Sequence, residues 1–363
     1  MKKQHSLPLK SFIKELKALV KPDYLKAMWP VGGIAIIFIA LTCILSFLAT
    51  SVMSSMMMSV MMIMYGMASP TALLMGLLEI LGAAVISIAL SFFFNFFMVA
   101  IQYTYQDRLA HPEQPVSAGS IWMHYKHLRK NQVWRIALYI GLFIFLWSLP
   151  LDIIGGLVGG LTKNTVWPLI IRIVNDIVIL WKALEYSQSY FLYREKQPQF
   201  LGQSMRHALT ASRRFMDSRK WNYLLINVVC EVLPVLIWTL IFGGLAFYGN
   251  YTATYVLTYV GIALVIIGIA CYLPVILAAG TLYYVKSKDE PDPVDIDATF
   301  KDTFKPVAEL TGEAYVHEVY TPAKPKEQPA PVAKKDDEPK REAKKDESYY
   351  LKRSGRIDCF FFV

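Results

Sequence analysis

Seven polar or ionisable side chains stand inside stretches that are otherwise apolar: Glu79, Arg172, Asn175, Asp176, Lys182, Glu185 and Glu231. A charge placed in hydrocarbon is costly, so such residues mark either a polar pathway or ligand pocket, or opposite charges that pair and fix how helices pack. At about 100° per residue, Arg172, Asn175, Asp176, Lys182 and Glu185 occupy roughly half of one helix circumference, which predicts a single polar face turned into a bundle. Depth matching then predicts partners. Glu79 should sit near the level of Arg172 and Asp176, and Glu231 near that of Lys182 and Glu185. Signs balance locally, which favours internal pairing over a conduit.

Other chemistry finds less support. Met53, Met57, Met61 and Met64 would share a helical face, and thioethers suit Cu(I), yet no His or Cys lies in that stretch and Met commonly fills apolar surfaces. His124 and His127 lie three apart on a basic segment, outside any HExxH context. Cys43, Cys230, Cys271 and Cys359 form no CxxC, so neither a disulfide framework nor a zinc site is expected. P-loop, GxSxG and dinucleotide fingerprints are absent. No catalytic residue, cofactor or metal is expected.

The elements that must position these residues are legible in the hydropathy. Of 363 residues, 55% are hydrophobic and 18% charged, and mean hydropathy is +0.38, too apolar for a soluble globular chain. Crossing about 30 Å of hydrocarbon takes roughly 20 helical residues. Six spans are expected: 29–50, 71–102, a third ending at Pro150, 166–193, 222–248 and 255–285. The expected fold is all-α, a polytopic membrane bundle of six helices with interfacial amphipathic helices. A Met-rich loop should follow the first span and a Gly-rich loop (Gly155, Gly156, Gly159, Gly160) the third.

Basic amphipathic stretches precede the first, third and fifth spans, as expected of helices lying on a membrane surface. Their candidate contacts to anionic lipid headgroups are Lys14, Lys17, Lys126, Arg129, Lys130, Arg206, Arg213, Arg214 and Lys220. Nucleic acid is the more remote partner, because these stretches adjoin spans. The order of basic helix, span, loop and returning span occurs three times, in units of about 6–108, 112–195 and 197–285 within a membrane domain of 1–285. The unit ends are alike: QYTYQDRLAHPEQP, SYFLYREKQPQF and TLYYVKSKDEPD each pass from aromatics through charge to Pro. Residues 1–27, 107–135 and 194–220 hold seven, five and seven Lys or Arg, whereas the intervening loops hold only Lys163. Both termini should therefore be cytoplasmic in a plasma membrane. Residues 286–363 carry eight of the nineteen Pro residues, with 15 basic and 17 acidic side chains. That composition predicts a disordered tail, whose protein partners it does not identify.

Lys182, Tyr186, Ser187, Ser189, Pro198, Ser204, Ala208, Leu209, Ser212, Met216, Lys220, Trp221, Pro274 and Tyr283 together carry a resemblance covering the second half of the membrane region. This part resembles an uncharacterised family of six-span bacterial membrane proteins, distantly similar to the membrane domain of some glycerophosphodiester phosphodiesterases. Asp217 stands where that family has Gly, and Val275 where it has Tyr. The resemblance implies a fold and a membrane location, and no reaction. The expected function is a non-enzymatic membrane protein of envelope or lipid-associated organisation. The alternative is a small-solute or lipid transporter using the polar face of the fourth span.

Overall fold

The computed structural model describes residues 7–65, 71–161, 166–289 and 295–304, and every regular element among them is helical. Twelve α-helices follow one another: α1 (Leu9–Val20), α2 (Tyr24–Met64), α3 (Thr71–Ala110), α4 (Ala118–His127), α5 (Lys130–Leu161), α6 (Val166–Tyr186), α7 (Ser189–Glu195), α8 (Arg206–Phe215), α9 (Lys220–Asn227), α10 (Leu233–Tyr251), α11 (Tyr255–Asp289) and α12 (Ile296–Thr299). A π-helical turn, Val228–Val232, joins α9 to α10.

Long apolar runs without internal breaks give long helices, and these pair as three antiparallel hairpins. In α2 and α3 the rings of Phe38 and Phe94 stack at 4.1 Å, and Met56 covers Gly76. In α5 and α6, Ile171 fits against Gly155 and Asn175 Nδ2 donates to Asp152 Oδ1 at 2.7 Å. In α10 and α11, Trp238 Nε1 donates to the Leu264 carbonyl at 2.9 Å, and backbones meet closely at two glycines. A Cβ on Gly249 would lie 2.6 Å from the Thr258 nitrogen, and one on Gly261 2.6 Å from the Ala246 nitrogen. Helix α11 also packs on α2 and α3.

Five helical stretches among the described residues are long and apolar enough to cross a membrane: Leu9–Met64, Leu73–Ala110, Lys130–Leu161, Lys220–Tyr251 and Tyr255–Asp289. This is the build of a multi-pass membrane protein. Helix α6, with Arg172, Asp176, Lys182 and Glu185 in its 21 residues, is not among them. Large apolar side chains such as Phe47, Ile86, Leu157 and Phe247 point outward along the hairpins, as they would toward lipid. The buried core gathers elsewhere. It joins α1, the late part of α3, α4, the start of α5, α7, α8 and the end of α11, and forms a collar around one end of the bundle.

Several sequence expectations need correction. The Met-rich stretch is no loop through Met64: it prolongs α2 to 41 residues, about 60 Å at 1.5 Å per residue and roughly twice the hydrocarbon thickness. Met is a good helix former and the run from Val52 to Met64 holds no Gly or Pro to stop it. The Gly-rich loop is likewise helical, because α5 continues through Pro150 to Leu161. The fourth apolar segment does not run to Tyr193; it breaks after Tyr186. Residues at the head of the expected tail are also ordered: α11 reaches Asp289, and Ile296 and Phe300 are buried, with Phe300 against Phe200 at 5.7 Å. The tail beyond residue 304, for which disorder is expected, lies outside the described residues.

The tight glycine contacts give a stability prediction. Gly261→Ala forces α10 and α11 apart and should cost about 1–3 kcal/mol, read as a lower unfolding midpoint in detergent. Gly244→Ala, whose Cβ would meet nothing within 4 Å, should leave the midpoint unchanged or raise it. Equal effects at the two positions would contradict this packing.

Candidate functional site

The polar residues concentrate where α6 breaks into α7. Leu184, Glu185 and Tyr186 end a helix inside protein, so their carbonyls lose the partners that a continuing helix would supply. Serines replace those partners. Ser187 Oγ donates to the Leu184 carbonyl at 2.9 Å, Ser212 Oγ to the Glu185 carbonyl at 2.7 Å, and Ser189 Oγ to the Tyr186 carbonyl at 2.8 Å. Ser212 Oγ also accepts from the Gln188 backbone N–H at 3.2 Å. Because Ser212 belongs to α8, this one hydroxyl ties the helix break to the third basic helix. Gln188, Ser189 and Ser212 are fully buried.

The Glu185 carboxylate lies one step away, between two lysines. Lys182 Nζ approaches Oε2 at 2.9 Å and Lys220 Nζ approaches Oε1 at 2.6 Å. Both ammonium groups also lie over indole rings, Lys182 over Trp147 at 4.2 Å and Lys220 over Trp181 at 4.5 Å. Trp181 and Trp221 meet edge to face at 5.7 Å. Burial raises the Glu185 pKa, but hydrogen bonds and charge attraction from Lys220 and Lys182 outweigh it, so the carboxyl is held below its ordinary value.

The three similar unit ends converge beside this cluster. Arg194 donates to the Tyr103 carbonyl at 2.9 Å, to Gln106 Oε1 at 2.9 Å and to Asp107 Oδ1 at 2.7 Å. Asp107 Oδ2 meets His124 Nε2 at 3.1 Å. Tyr103 Oη donates to the Tyr190 carbonyl at 3.0 Å, and Tyr193 Oη to Gln132 Oε1. Burial pushes the Tyr190 phenol up to about 12, with the Asn95 hydrogen bond pulling slightly the other way. The third end joins through Phe191 stacked on Tyr284 at 4.8 Å and Lys288 paired with Glu195 at 3.0 Å. What this arrangement does chemically is hold charge: carboxylates stay ionised against cations and buried phenols stay neutral.

The expected polar face is thus divided. Lys182 and Glu185 come together, joined by Lys220. Asn175 is buried on Asp152. Glu79, Arg172 and Asp176 are exposed, and among the described residues no ion pair links them, so the expected outer cluster does not form. Glu231 is half-buried in the π turn without an ion-pair partner among the described residues. The expected approach to Lys182 fails because Glu185, one turn away on the same helix, already engages it.

The basic helices do not lie separately with their apolar faces toward a bilayer. Ala208, Leu209, Ala211, Phe215 and Met216 of the third are buried in the collar, as are Phe12, Leu16 and Val20 of the first and Ile121 of the second, whose Tyr125 is buried on Phe97 at 4.3 Å. The second ends at His127, and α5 starts anew at Lys130. Of the candidate headgroup contacts, Lys14, Lys17, Lys126, Lys130, Arg206 and Arg213 face outward, and Arg129 is half-buried. Arg214 is exposed but bonds the carbonyls of Thr299 at 3.1 Å and Lys301 at 2.6 Å. Lys220 turns inward to Glu185, which overturns its assignment to headgroups. Sequence reasoning missed Asp107 and Arg194, for which the signal available was the shared aromatic-to-charge pattern of the unit ends, read as an interfacial habit and not as a meeting point; it set His124 aside, and gave no signal for Asp23.

No protein-family model, curated protein or solved structure matches the chain.

Removing the carboxylate tests the cluster. Glu185→Ala leaves two ammonium groups in a largely desolvated site and should cost about 2–3 kcal/mol after allowing for their residual exposure. Its pH signature follows from the lowered pKa: the contribution is complete above the ordinary glutamate value of 4.5 and is lost as pH falls through the folded value. Thermal unfolding in detergent from about pH 6 to about pH 3 should therefore show a steeper acid loss for the native chain than for Glu185→Ala. Parallel curves would contradict the assignment.

Proposed function

We propose that the chain is a non-enzymatic plasma-membrane protein with six spans and both termini cytoplasmic, acting in envelope or lipid-associated organisation. The sixth span is the Val166–Trp181 part of α6, a short span of about 24 Å at 1.5 Å per residue, whose Trp181 and Trp221 then mark the inner interface and leave Glu185 in the collar. Three units, each a basic helix and a hairpin, are read as an internal repeat. The resemblance to six-span bacterial membrane proteins supports the same architecture. Its carrying residues Lys182, Ser187, Ser189, Ser212 and Lys220 are those that build the helix break and its ion cluster.

One observation carries the functional reading. All three basic stretches pack into a single collar while Lys14, Lys17, Lys126, Lys130, Arg206 and Arg213 stay outward, a ring of cations suited to anionic headgroups. The polar groups of α6 that touch other residues serve internal bonds, which favours a scaffold over a conduit. The transporter alternative rests on exposed Arg172 and Asp176.

Two measurements test this. On a Cys-free background, Gly160→Cys should react with an impermeant thiol reagent in intact cells, whereas Ser120→Cys and Ser204→Cys should react only after permeabilisation; the reverse pattern would overturn the orientation. In proteoliposomes, a screen of small solutes and lipids should show no flux above empty vesicles. Substrate-dependent flux lost on Arg172→Ala or Asp176→Ala would replace the scaffold with a transporter.

A further inference from the structure

The first basic helix closes over a cavity of about 610 Å³ between α1, the start of α2, the π turn and α11. Its walls are apolar, with Leu16, Val20, Val229 and Val275 among them, while Lys17, Lys21 and Lys26 stand in its lining. The two tyrosines of the wall present rings and not free hydroxyls. Tyr24 Oη donates to the Cys271 carbonyl at 2.9 Å, and Tyr272 Oη to the Cys230 carbonyl in the π turn at 2.7 Å. A second cavity of about 320 Å³, bounded by Pro234, Trp238 and Gly268, shares Tyr24 and Tyr272 with the first. It lies further along α10 and α11, away from the collar, and holds no charged residue in its lining. Polarity therefore runs in one direction, from lysines at the collar to purely apolar walls within the bundle.

The carboxylates nearest the rim compensate Lys26 but leave Lys17 and Lys21 uncompensated. Asp23 is engaged by Lys26 at 3.4 Å and Arg108 at 3.7 Å and accepts from the Val116 N–H. Glu15 is paired with Lys286 at 3.0 Å. Glu231 adjoins Cys230 but does not line the cavity. Lys17 and Lys21 are exposed and make no ion pair among the described residues. A π turn widens a helix locally and recurs at ligand sites; here it supplies Val229 and Cys230 to the wall.

We propose that this paired cavity binds one anionic phospholipid, its phosphate held by Lys17 and Lys21 with Lys26 alongside, and an acyl chain passing between Tyr24 and Tyr272 toward Trp238 and Gly268. Phosphate accounts for the cationic rim, and a chain accounts for the uncharged continuation; a soluble phosphate compound would leave the second cavity without purpose. The proposal rests on the lipid-associated reading above and deepens it from a diffuse ring of cations to one built site.

The test is native mass spectrometry and thermal unfolding of the full-length protein, delipidated in detergent and titrated with phosphatidylglycerol, phosphatidylcholine or glycerol phosphate. Phosphatidylglycerol should be retained as a single tight adduct and raise the unfolding midpoint, with phosphatidylcholine and glycerol phosphate each at least about tenfold weaker. Lys17→Ala with Lys21→Ala, both at exposed positions, should lose that preference about tenfold. Val275→Trp, which fills the cavity, should lose it with the lysines intact. Equal binding of phosphatidylcholine, or unaltered binding in the double-lysine variant, would overturn the headgroup assignment. Glycerol phosphate as effective as the whole lipid would overturn the acyl path. Either failure alongside the expected thiol-labelling pattern would reject this site while leaving the membrane scaffold standing.

Discussion

A helix that ends inside protein must have its last carbonyls satisfied, and the collar depends on how this chain meets that requirement. The break after Tyr186 leaves polar backbone at positions with no access to water, where an unpaired group costs about 1–3 kcal/mol. Ser187 and Ser189 answer locally, but the Glu185 carbonyl and Gln188 N–H both turn to Ser212 on another helix. That hydroxyl can serve only if α8 lies across the break. Once it does, Lys220, which begins the next helix, is delivered to the Glu185 carboxylate. One backbone constraint thereby fixes a helix position, an ion cluster and the entry of the following span.

The same constraint explains why amphipathic helices with strong basic faces are not independent surface helices. Their apolar stripes are covered by protein: α1 packs on α11, α4 on α3, and α8 on α5, α6 and α7. Phe191, Phe215 and Tyr284 form a continuous ring contact through α7, α8 and α11, and Arg194 joins the end of α3 to it. Stability is thus concentrated at one end of the molecule. The hairpins beyond, with most of their large side chains exposed, rely on close glycine contacts and on whatever surrounds them.

Helix existence and class were legible because they follow from run length and period alone. The amphipathic pattern of the basic stretches marks faces that need covering, and Phe12, Leu16, Leu209 and Met216 are indeed buried; what covers those faces is a tertiary fact that periodicity does not hold. Element ends were less legible. Gly155 and Gly159 look like loop residues but sit in a helix where Ile171 and Pro168 pack against them, and the Met run lacks any stop signal. Partner choice was least legible. By sign and depth Lys182 could be matched to Glu231 or to Glu185, and the outcome was decided by the helix break, which brings Glu185 and Lys220 together from 35 residues apart in sequence. The left-handed residue of the following turn, Ser218 at φ 74°, likewise falls one place beyond the Asp217 position where the family resemblance expects Gly.

The most direct test of the collar account is hydrogen exchange at the break itself, followed by mass spectrometry on the full-length protein in nanodiscs, with and without Ser212→Ala. The account predicts that peptides spanning 185–195 exchange as slowly as the middle of α11 in the native chain, and that Ser212→Ala releases protection there and in α8 together. Fast exchange across 185–195 in the native chain, or a Ser212→Ala variant that leaves both segments protected, would contradict it.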